Sequence, residues 1–553
     1  MKRERWHISR GWELVLVTSC YSAATVVLTW PLMWAPGRLG MPFPDMFGHT
    51  WGMAWVVRQL FSDPLHLFQS NMYWPMQGSL AATESLIPQA LMVAPLLLWG
   101  ADPLLAHNLS VAATFPLAGL GAYLLARDLS ASPGGSFIAG LAYAFNAFRW
   151  EHFIQVGVLS AEWLPLALLF LRRSLRSPAR HNLVGLAATS VLQVLSSGYY
   201  AVLLAVALAA ALAAQPRKVL DPTRGLPILA SLAVAVIVAV PAGLPYLALK
   251  ERAEIRRTDH ELAHWSARWK SYLDAGGYAA WTHLETLDTW AGEREPLYPG
   301  TIPAVLAIAG TAGLRRREGA RFAVVMASTG LLVSLGPTIS IGTAQVPGPF
   351  ALLRELAIVQ MIRVPSRFGV LALLGIGLLA ALGWSLLATV RFRIPLLLAV
   401  SLLTVSEAYP AGLGARMEEI ERAPPAVRLL SSVERGPVLE LPWSDSAKYL
   451  YWSTVHWQPM VNGHGTFEPQ TGNFGLALVG ARFTRPYSSR VLRAAGVRWV
   501  VVHTDRLPAG GRRRVLAAAP LPKGVELIAD FGDDRVYRIG PGPVAVWEPR
   551  LTE

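Results

Sequence analysis

Asp45 stands in Gly40-Met41-Pro42-Phe43-Pro44-Asp45-Met46-Phe47-Gly48-His49-Thr50-Trp51, a few positions beyond the first apolar run of the chain. A carboxylate held there by prolines and aromatic rings sits where the dielectric falls and water is limited. In that setting it can act as a general base or bind a cation. The same pattern allows a structural role. Asp is a good helix N-cap, and an apolar-periodic stretch, 46–61, follows it. Glu84, in Ala82-Thr83-Glu84-Ser85, precedes another apolar segment and has the same two readings, a cavity carboxylate or a cap.

Two further polar sets flank apolar runs. One is Phe148-Arg149-Trp150-Glu151-His152, and the other is Ser160-Ala161-Glu162-Trp163. Glu162 lies beside Leu159, Trp163 and Leu164. A carboxylate there costs up to about 2.5–3.5 kcal/mol if it is drawn toward a bilayer centre. His152 also fits an interfacial aromatic belt. Tyr199 and Tyr200 follow Ser196-Ser197-Gly198 and can stack on a sugar ring or anchor at an interface. Asn462-Gly463-His464-Gly465-Thr466-Phe467 is a polar, Gly-rich loop near Trp452 and Trp457. His464 makes it a candidate recognition loop, and an ordinary structural loop is the alternative.

The elements that must position these residues are mostly apolar helices. The chain has 553 residues, is 53% hydrophobic and only 15% charged. Soluble globular chains carry about 25% charged residues. The formal net charge is +13, but the arginines stand in short clusters between apolar runs, with no basic-aromatic surface module, which excludes nucleic acid as a partner. The only cysteine, Cys20, lies in the first run, so no intramolecular disulfide forms. That run, Leu14 to Trp34, is long for a signal peptide and lacks a clear cleavage site, so it reads as an uncleaved first span.

The apolar runs are 14–34, 86–99, 105–126, 136–148, 158–171, 183–196, 199–214, 227–249, 301–314, 321–341, 368–389 and 394–410. Lys2, Arg3, Arg5 and Arg10 precede the first. Clusters at Arg172, Arg173, Arg176 and Arg180, at Arg217, Lys218 and Arg224, at Arg315, Arg316, Arg317 and Arg321, and at Arg391 and Arg393 separate the others. If every run spans, these clusters do not share a side with the N-terminus. If 86–99, which is short and contains Pro88 and Pro95, is interfacial or re-entrant, they all do. The expectation is about eleven spans, with the N-terminus cytoplasmic and the C-terminus outside. Residues 183–214 read as two short helices meeting at the Ser-Ser-Gly-Tyr-Tyr break, because one helix of that length would run about 48 Å.

The fold class expected is a polytopic α-helical membrane protein over 1–410 with a C-terminal soluble α/β domain over 411–553. The outer side then carries a first loop at 35–104 and loops near 250–300 and 342–367. In the tail, Val438–Leu441 and Val497–Val502 read as strands, with a helical stretch at Arg490–Ala495. Val525–Ile528 and Val536–Ile539 around a Gly-Asp-Asp turn read as a hairpin. No internal repeat or low-complexity tract is present.

The chain resembles the GT-C superfamily of membrane glycosyltransferases, which includes protein O-mannosyltransferases and lipid A aminoarabinose transferases. The resemblance rests on FPDMFGHTWGMAWVVRQLFSDPLHLFQSNMYWP with TESLIPQALMVAPLLLW, and on GLGAYLLARDLSASPGGSFIAGLAYAFNAFRWEHF. More specifically, it resembles a poorly characterised bacterial branch, through LSSGYYAVLLA, IRVPSRFGVLALLGIGLLAALG and VHWQPMVNGHGTF. The resemblance covers most of the chain, though each motif alone is weak.

The resemblance implies a bacterial cytoplasmic-membrane enzyme. It would move a sugar from a polyprenyl-phosphate donor to a hydroxyl on a cell-envelope glycan, lipid or protein, with Asp45 as base and inversion at the anomeric carbon. The leaving phosphate needs cationic stabilisation. Arg363 and Arg367 in Ile362-Arg363-Val364-Pro365-Ser366-Arg367-Phe368 suit it, since a guanidinium matches two phosphate oxygens; contact with lipid headgroups is their alternative role. Arg58 and Arg149 are weaker candidates. Related enzymes place an acid or histidine near His152 and Glu162, sometimes sharing a divalent cation (Mg or Mn) with the first-loop Asp, and Glu84 can join such a set. No metal motif such as HExxH is present, so metal dependence stays open. The first loop lacks the Asp-Glu pair of mannosyltransferases, and no WWDYG occurs, which argues against protein N-glycosylation.

A transporter or lipid flippase for cell-envelope glycolipids is the main rival. Transporters usually show internal pseudo-repeats and mid-span ionisable residues, and neither is seen here. A third reading is an assembly protein whose tail binds a partner.

Overall fold

The computed structural model describes residues 9–253, 255–276, 296–311, 318–341, 344–387, 392–467, 475–476, 480, 482–518 and 520–540. Lys2, Arg3 and Arg5, Arg315 to Arg317, Arg391 and the middle of the 250–300 loop lie outside the described residues. The chain divides into two compact units. One comprises Met1–Ala35, Asn108–Ala242 and Arg256–Met417, and the other Pro36–His107, Gly243–Ile255 and Glu418–Glu553. The tail expected as a domain from 411 thus shares its unit with the first loop.

Every apolar run contains a helix. Among the described residues, four helical stretches are long and apolar enough to cross a membrane: Arg10–Leu28, Pro103–Asp128, Pro222–Arg252 and Pro365–Leu387. The 183–214 stretch is two helices, Arg180–Ser196 and Gly198–Ala213, with Ser197 between them in extended backbone at φ −163°. The segment 86–99 forms a 12-residue helix, Ile87–Leu98, with Pro95 inside it. At 1.5 Å rise it is about 18 Å long, against a hydrocarbon core of about 30 Å.

In the first unit, helix Gly369–Leu387 is buried along nearly its whole length. It packs on helices Pro133–Ala144, Thr301–Thr311 and Glu318–Ser334. Small residues make this possible: a Cβ on Gly383 would lie 1.9 Å from the Leu306 carbonyl oxygen, and one on Gly310 would lie 2.1 Å from that of Leu379. Apolar helices that cannot be driven together by hydrophobicity in lipid associate through such close backbone approach. Asp128 closes helix Pro103–Asp128, and its carboxylate, 5% exposed, takes Arg172 at 3.2 Å and Arg173 at 3.4 Å. The loop at 342–367 contains the second strand of a small hairpin, Thr338–Ile341 with Ala344–Pro347, followed by short turns.

In the second unit the tail builds a four-stranded sheet. Its order is Val438–Leu441, Trp499–His503, Asp534–Ile539, Val525–Asp530, with the first pair parallel and the others antiparallel. The expected strands, the helix (Pro486–Ala494) and the terminal hairpin are all present. Helix Pro44–Ser62 of the first loop packs on helix Ser446–Ser453 of the tail, with Phe47 stacked on Tyr451 at 5.8 Å. Asn71 joins the two segments: its Oδ1 accepts from Trp51 Nε1 at 2.9 Å, and its Nδ2 donates to Ser453 Oγ and the Gln458 carbonyl.

Candidate active site

Asp45 is not the N-cap that its residue type allows. Phe43 is the cap, Pro44 takes the first helical position, and Asp45 lies in the first turn of helix Pro44–Ser62. Pro there is preorganised for the helix and loses no hydrogen bond. A negative side chain in that turn meets the positive end of the helix dipole.

The partner of Asp45 comes from the tail. His464 Nε2 lies 3.0 Å from Asp45 Oδ1. An ionised carboxylate only accepts, so the imidazole nitrogen donates. The contact is partly open, with the two side chains 25% and 42% exposed, so a substrate hydroxyl can reach it. Backbone fit holds His464 in place. Gly48, one turn on from Asp45, faces the imidazole, and a Cβ there would sit 2.9 Å from His464 Cδ2. Gly463 lies against the Tyr73 ring and Gly465 against the Ala82 carbonyl, where Cβ atoms would meet neighbours at 2.2 and 2.5 Å. The backbone between them is laced to the first loop: Tyr73 N–H donates to the Asn462 carbonyl, Trp74 N–H to Met460, and Thr466 N–H to Ala82.

The same loop is tied to the tail sheet. The Asn462 side chain brackets the backbone of Glu440, accepting from its N–H at 2.8 Å and donating to its carbonyl at 3.0 Å. The Glu440 carboxylate is fully buried and bonds His503 Nε2 at 3.0 Å, while His503 Nδ1 meets Asp534 at 2.7 Å. Burial alone would lower the His503 pKa. The two carboxylates outweigh it and raise it from about 6.5 to about 9. Burial also pushes the Glu440 carboxyl up, against the pull of His503. Sequence inspection missed this network. A Glu inside the fully buried strand Val-Leu-Glu-Leu was the available signal, because a buried carboxylate needs a partner.

Glu84 belongs to the same unit as Asp45. It is not the cap of helix Ile87–Leu98, which is Leu86 at φ 50°. It lies near Tyr246, whose hydroxyl donates to the Thr83 carbonyl at 3.0 Å. Arg58 sits with its guanidinium 5.1 Å from the centre of the Trp457 ring.

The remaining candidates are in the first unit. Arg363 has its guanidinium over Trp265 at 5.3 Å, and Arg367 has its own over Tyr199 at 4.7 Å. The Arg363 N–H donates to the Tyr199 hydroxyl at 3.1 Å, so Tyr199 braces the two arginines. Arg363 Nε is buried with no hydrogen-bond partner among the described residues. Tyr200 differs from its neighbour. It is 2% exposed, and its hydroxyl donates to the Val158 carbonyl, so it is a core residue rather than an open stacking platform. His152 is buried, packs its ring tilted at 56° against Phe148 and places Nδ1 2.6 Å from Gln155 Oε1. Glu162 is 1% exposed, and neither carboxyl oxygen has a hydrogen-bond partner among the described residues. Arg149 is buried, bonds the Leu159 carbonyl and Thr114, and interacts electrostatically with Glu162. Among the described residues no three His, Cys, Asp or Glu side chains come together to hold a metal ion.

The class of structure this fold is similar to is that of solved glycosyltransferases. The arabinofuranosyltransferase AftD from Mycobacteria superposes with a TM-score of 0.60 at 15% identity, over 97% of this chain and 40% of that chain. The chain therefore spans less than half of AftD. The archaeal oligosaccharyltransferase AglB from Archaeoglobus fulgidus, in complex with an inhibitory peptide and a dolichol-phosphate, matches with a TM-score of 0.51 at 13% identity, over 98% of this chain and 76% of that chain. Its oligosaccharyltransferase in the apo form matches with a TM-score of 0.50 at 15% identity, over 90% and 70%. At these identities the likeness is one of fold. No family model and no curated protein matches the chain.

Proposed function

We propose that this protein is a glycosyltransferase that moves a sugar from a polyprenyl-phosphate donor to an acceptor hydroxyl at the outer face of the bacterial cytoplasmic membrane. The observation that carries this reading is the Asp45–His464 pair, an acid in the first turn of a loop helix oriented by a histidine, on a GT-C fold. The dolichol-phosphate in AglB supports a lipid-phosphate donor.

In the proposed reaction the acceptor oxygen attacks the anomeric carbon. The bond from that carbon to the phosphate oxygen breaks, and its electron pair leaves with the polyprenyl phosphate, inverting the configuration. Asp45 takes the hydroxyl proton. His464 holds the carboxylate through Oδ1 and so orients the base. Arg363 and Arg367 are the proposed phosphate ligands: each guanidinium is held on an aromatic ring, and fixed positive charge stabilises the leaving anion. Acceptors of the class proposed are cell-envelope glycans, lipids or proteins. The proposed topology has about eleven spans, with helix Ile87–Leu98 at the interface and the tail extracytoplasmic.

Asp45→Asn tests the reading. The variant keeps the side-chain shape and removes the basic oxygen, so sugar transfer should fall about 10²- to 10⁴-fold with the protein made at normal levels. Full transfer by a well-made Asp45→Asn protein rules Asp45 out as the base.

A further inference from the structure

The second unit carries an exposed pair of cations, Arg58 and Arg435, that the proposed reaction does not use. Arg58 lies on helix Pro44–Ser62, the helix that begins with Asp45 in its first turn. At 1.5 Å rise per residue the two positions are about 20 Å apart along that helix, so the pair is remote from the proposed base. Arg435 comes from the turn before strand Val438–Leu441. Its neighbour Gly436 donates its N–H to Gln458 Oε1 at 2.9 Å, which brings Arg435 beside the Trp457-Gln458 segment.

Trp457 joins the two. The Arg58 guanidinium lies 5.1 Å from the centre of its ring, and Trp55 packs on the same ring at 5.8 Å. The Trp457 backbone is at φ +53°, a left-handed conformation that bulky residues rarely adopt, and its N–H donates to the Ser453 carbonyl at 2.7 Å. Strained residues of this kind concentrate at ligand clamps. Burial, and then the like charge of Arg435, lower the Arg58 pKa. Among the described residues neither arginine makes an ion pair with a carboxylate. Asp63, close by at the end of the helix, is taken by His66 at 2.8 Å.

Two uncompensated guanidiniums suit a group with several anionic oxygens, above all a phosphate. The surface beside them is apolar. Phe61, 59% exposed, shares the helix face of Arg58, and Leu65, 92% exposed, follows in the next turn. Val455 is exposed two positions before Trp457. A soluble anion gains nothing from these side chains. A phospholipid offers phosphate to the arginines, an interface to the indole and acyl chain to Phe61 and Leu65. We propose that Arg58, Arg435 and Trp457 bind the headgroup phosphate of an anionic phospholipid and seat this end of helix Pro44–Ser62 on the membrane surface.

The test uses the full-length protein in lipid nanodiscs doped with photoactivatable phosphatidylglycerol or phosphatidylcholine, the diazirine placed high on the acyl chain. Adducts are mapped by mass spectrometry at subsaturating lipid. Phosphatidylglycerol should label residues 55–67 and 452–460 more strongly than phosphatidylcholine does. A guanidinium at an anionic lipid surface strengthens binding about fivefold, so the Arg58→Gln, Arg435→Gln double variant should lose roughly 30-fold of that labelling. Adducts on helix Pro222–Arg252 should not change. The charge-keeping pair Arg58→Lys, Arg435→Lys should restore most of the yield, which separates lost binding from misfolding. Asp45→Asn should leave the adducts as they are, so failure of the catalytic reading is distinguishable from failure of this one. Equal labelling by the two lipids, or labelling that the double Gln variant retains, overturns the proposal. Displacement by inorganic phosphate at constant ionic strength means a site for a free anion and overturns it too.

Discussion

His464 Nε2 donates to Asp45 Oδ1 at 3.0 Å across 419 positions of sequence. A hydrogen bond to a charged group contributes about 1.5–3 kcal/mol, so His464→Ala should slow transfer roughly 10- to 150-fold. The loss should fall on kcat, with KM for the donor little changed, because the imidazole orients the base rather than holding the lipid. Steady-state kinetics on the full-length protein check this. Wild-type kcat in His464→Ala would remove the histidine from the mechanism.

Gly48→Ala separates stability from activity. Alanine is the better helix former by about 1 kcal/mol, so helix Pro44–Ser62 should hold or gain stability. The new Cβ meets His464 Cδ2 at 2.9 Å, and the imidazole must move. Transfer should drop about tenfold or more while the melting temperature does not fall, since small misplacements of catalytic groups are costly. A melting scan beside a transfer assay shows whether the two part company.

His503 makes the tail sheet sensitive to pH. Its folded pKa, about 9, lies above the ordinary 6.5. Its contribution is therefore complete below about pH 6.5 and is lost as pH rises through 9. Hydrogen exchange at the amides of Val500, Val501 and Val502 should speed up over that window. In His503→Gln exchange should be fast throughout, because Glu440 is left buried without its cation, a penalty of about 3–5 kcal/mol. Exchange that ignores pH in the wild type would contradict the charge assignment.

Gly383→Val should disrupt the first unit. Any Cβ there would stand 1.9 Å from the Leu306 carbonyl oxygen. Overpacking typically costs about 1–3 kcal/mol, and backbone cannot yield as a flexible side chain does. Thermal unfolding in detergent should come at lower temperature than in the wild type and in Gly11→Ala, whose Cβ meets nothing within 4 Å.

The proposed topology is tested in a Cys20→Ser background with a single cysteine at Ala101. An impermeant thiol reagent should label it from outside the cell. Labelling from the cytoplasmic side alone would overturn the placement of helix Ile87–Leu98 at the interface.

Much of the fold is legible in the sequence, because apolar runs of membrane length have few alternatives. The break at Ser197 is legible from Ser-Ser-Gly, and the terminal hairpin from Gly-Asp-Asp between strand-like runs. Asp45 is legible as a candidate, but its role as a cap is not excluded by residue type. Only the position of Pro44 at the first helical turn settles that Phe43 is the cap. Tyr199 and Tyr200 read alike in sequence, yet neighbours on a helix point about 100° apart, so one braces two arginines and the other enters the core. The Asp45–His464 contact has no local signature. Its traces are three glycines, Gly48, Gly463 and Gly465, whose missing side chains make room for the contact and its loop.

The second unit is assembled from Pro36–His107, Gly243–Ile255 and Glu418–Glu553. Its halves therefore leave the ribosome far apart in time. At about 5–20 residues per second, His464 emerges roughly 20–80 s after Asp45. Through that interval the nascent chain carries the acid without its histidine, and helix Pro44–Ser62 lacks the aromatic helix it packs against. On the proposed mechanism, emergence of the tail loop is thus the step that completes the site, and a chain arrested before residue 464 should not transfer sugar.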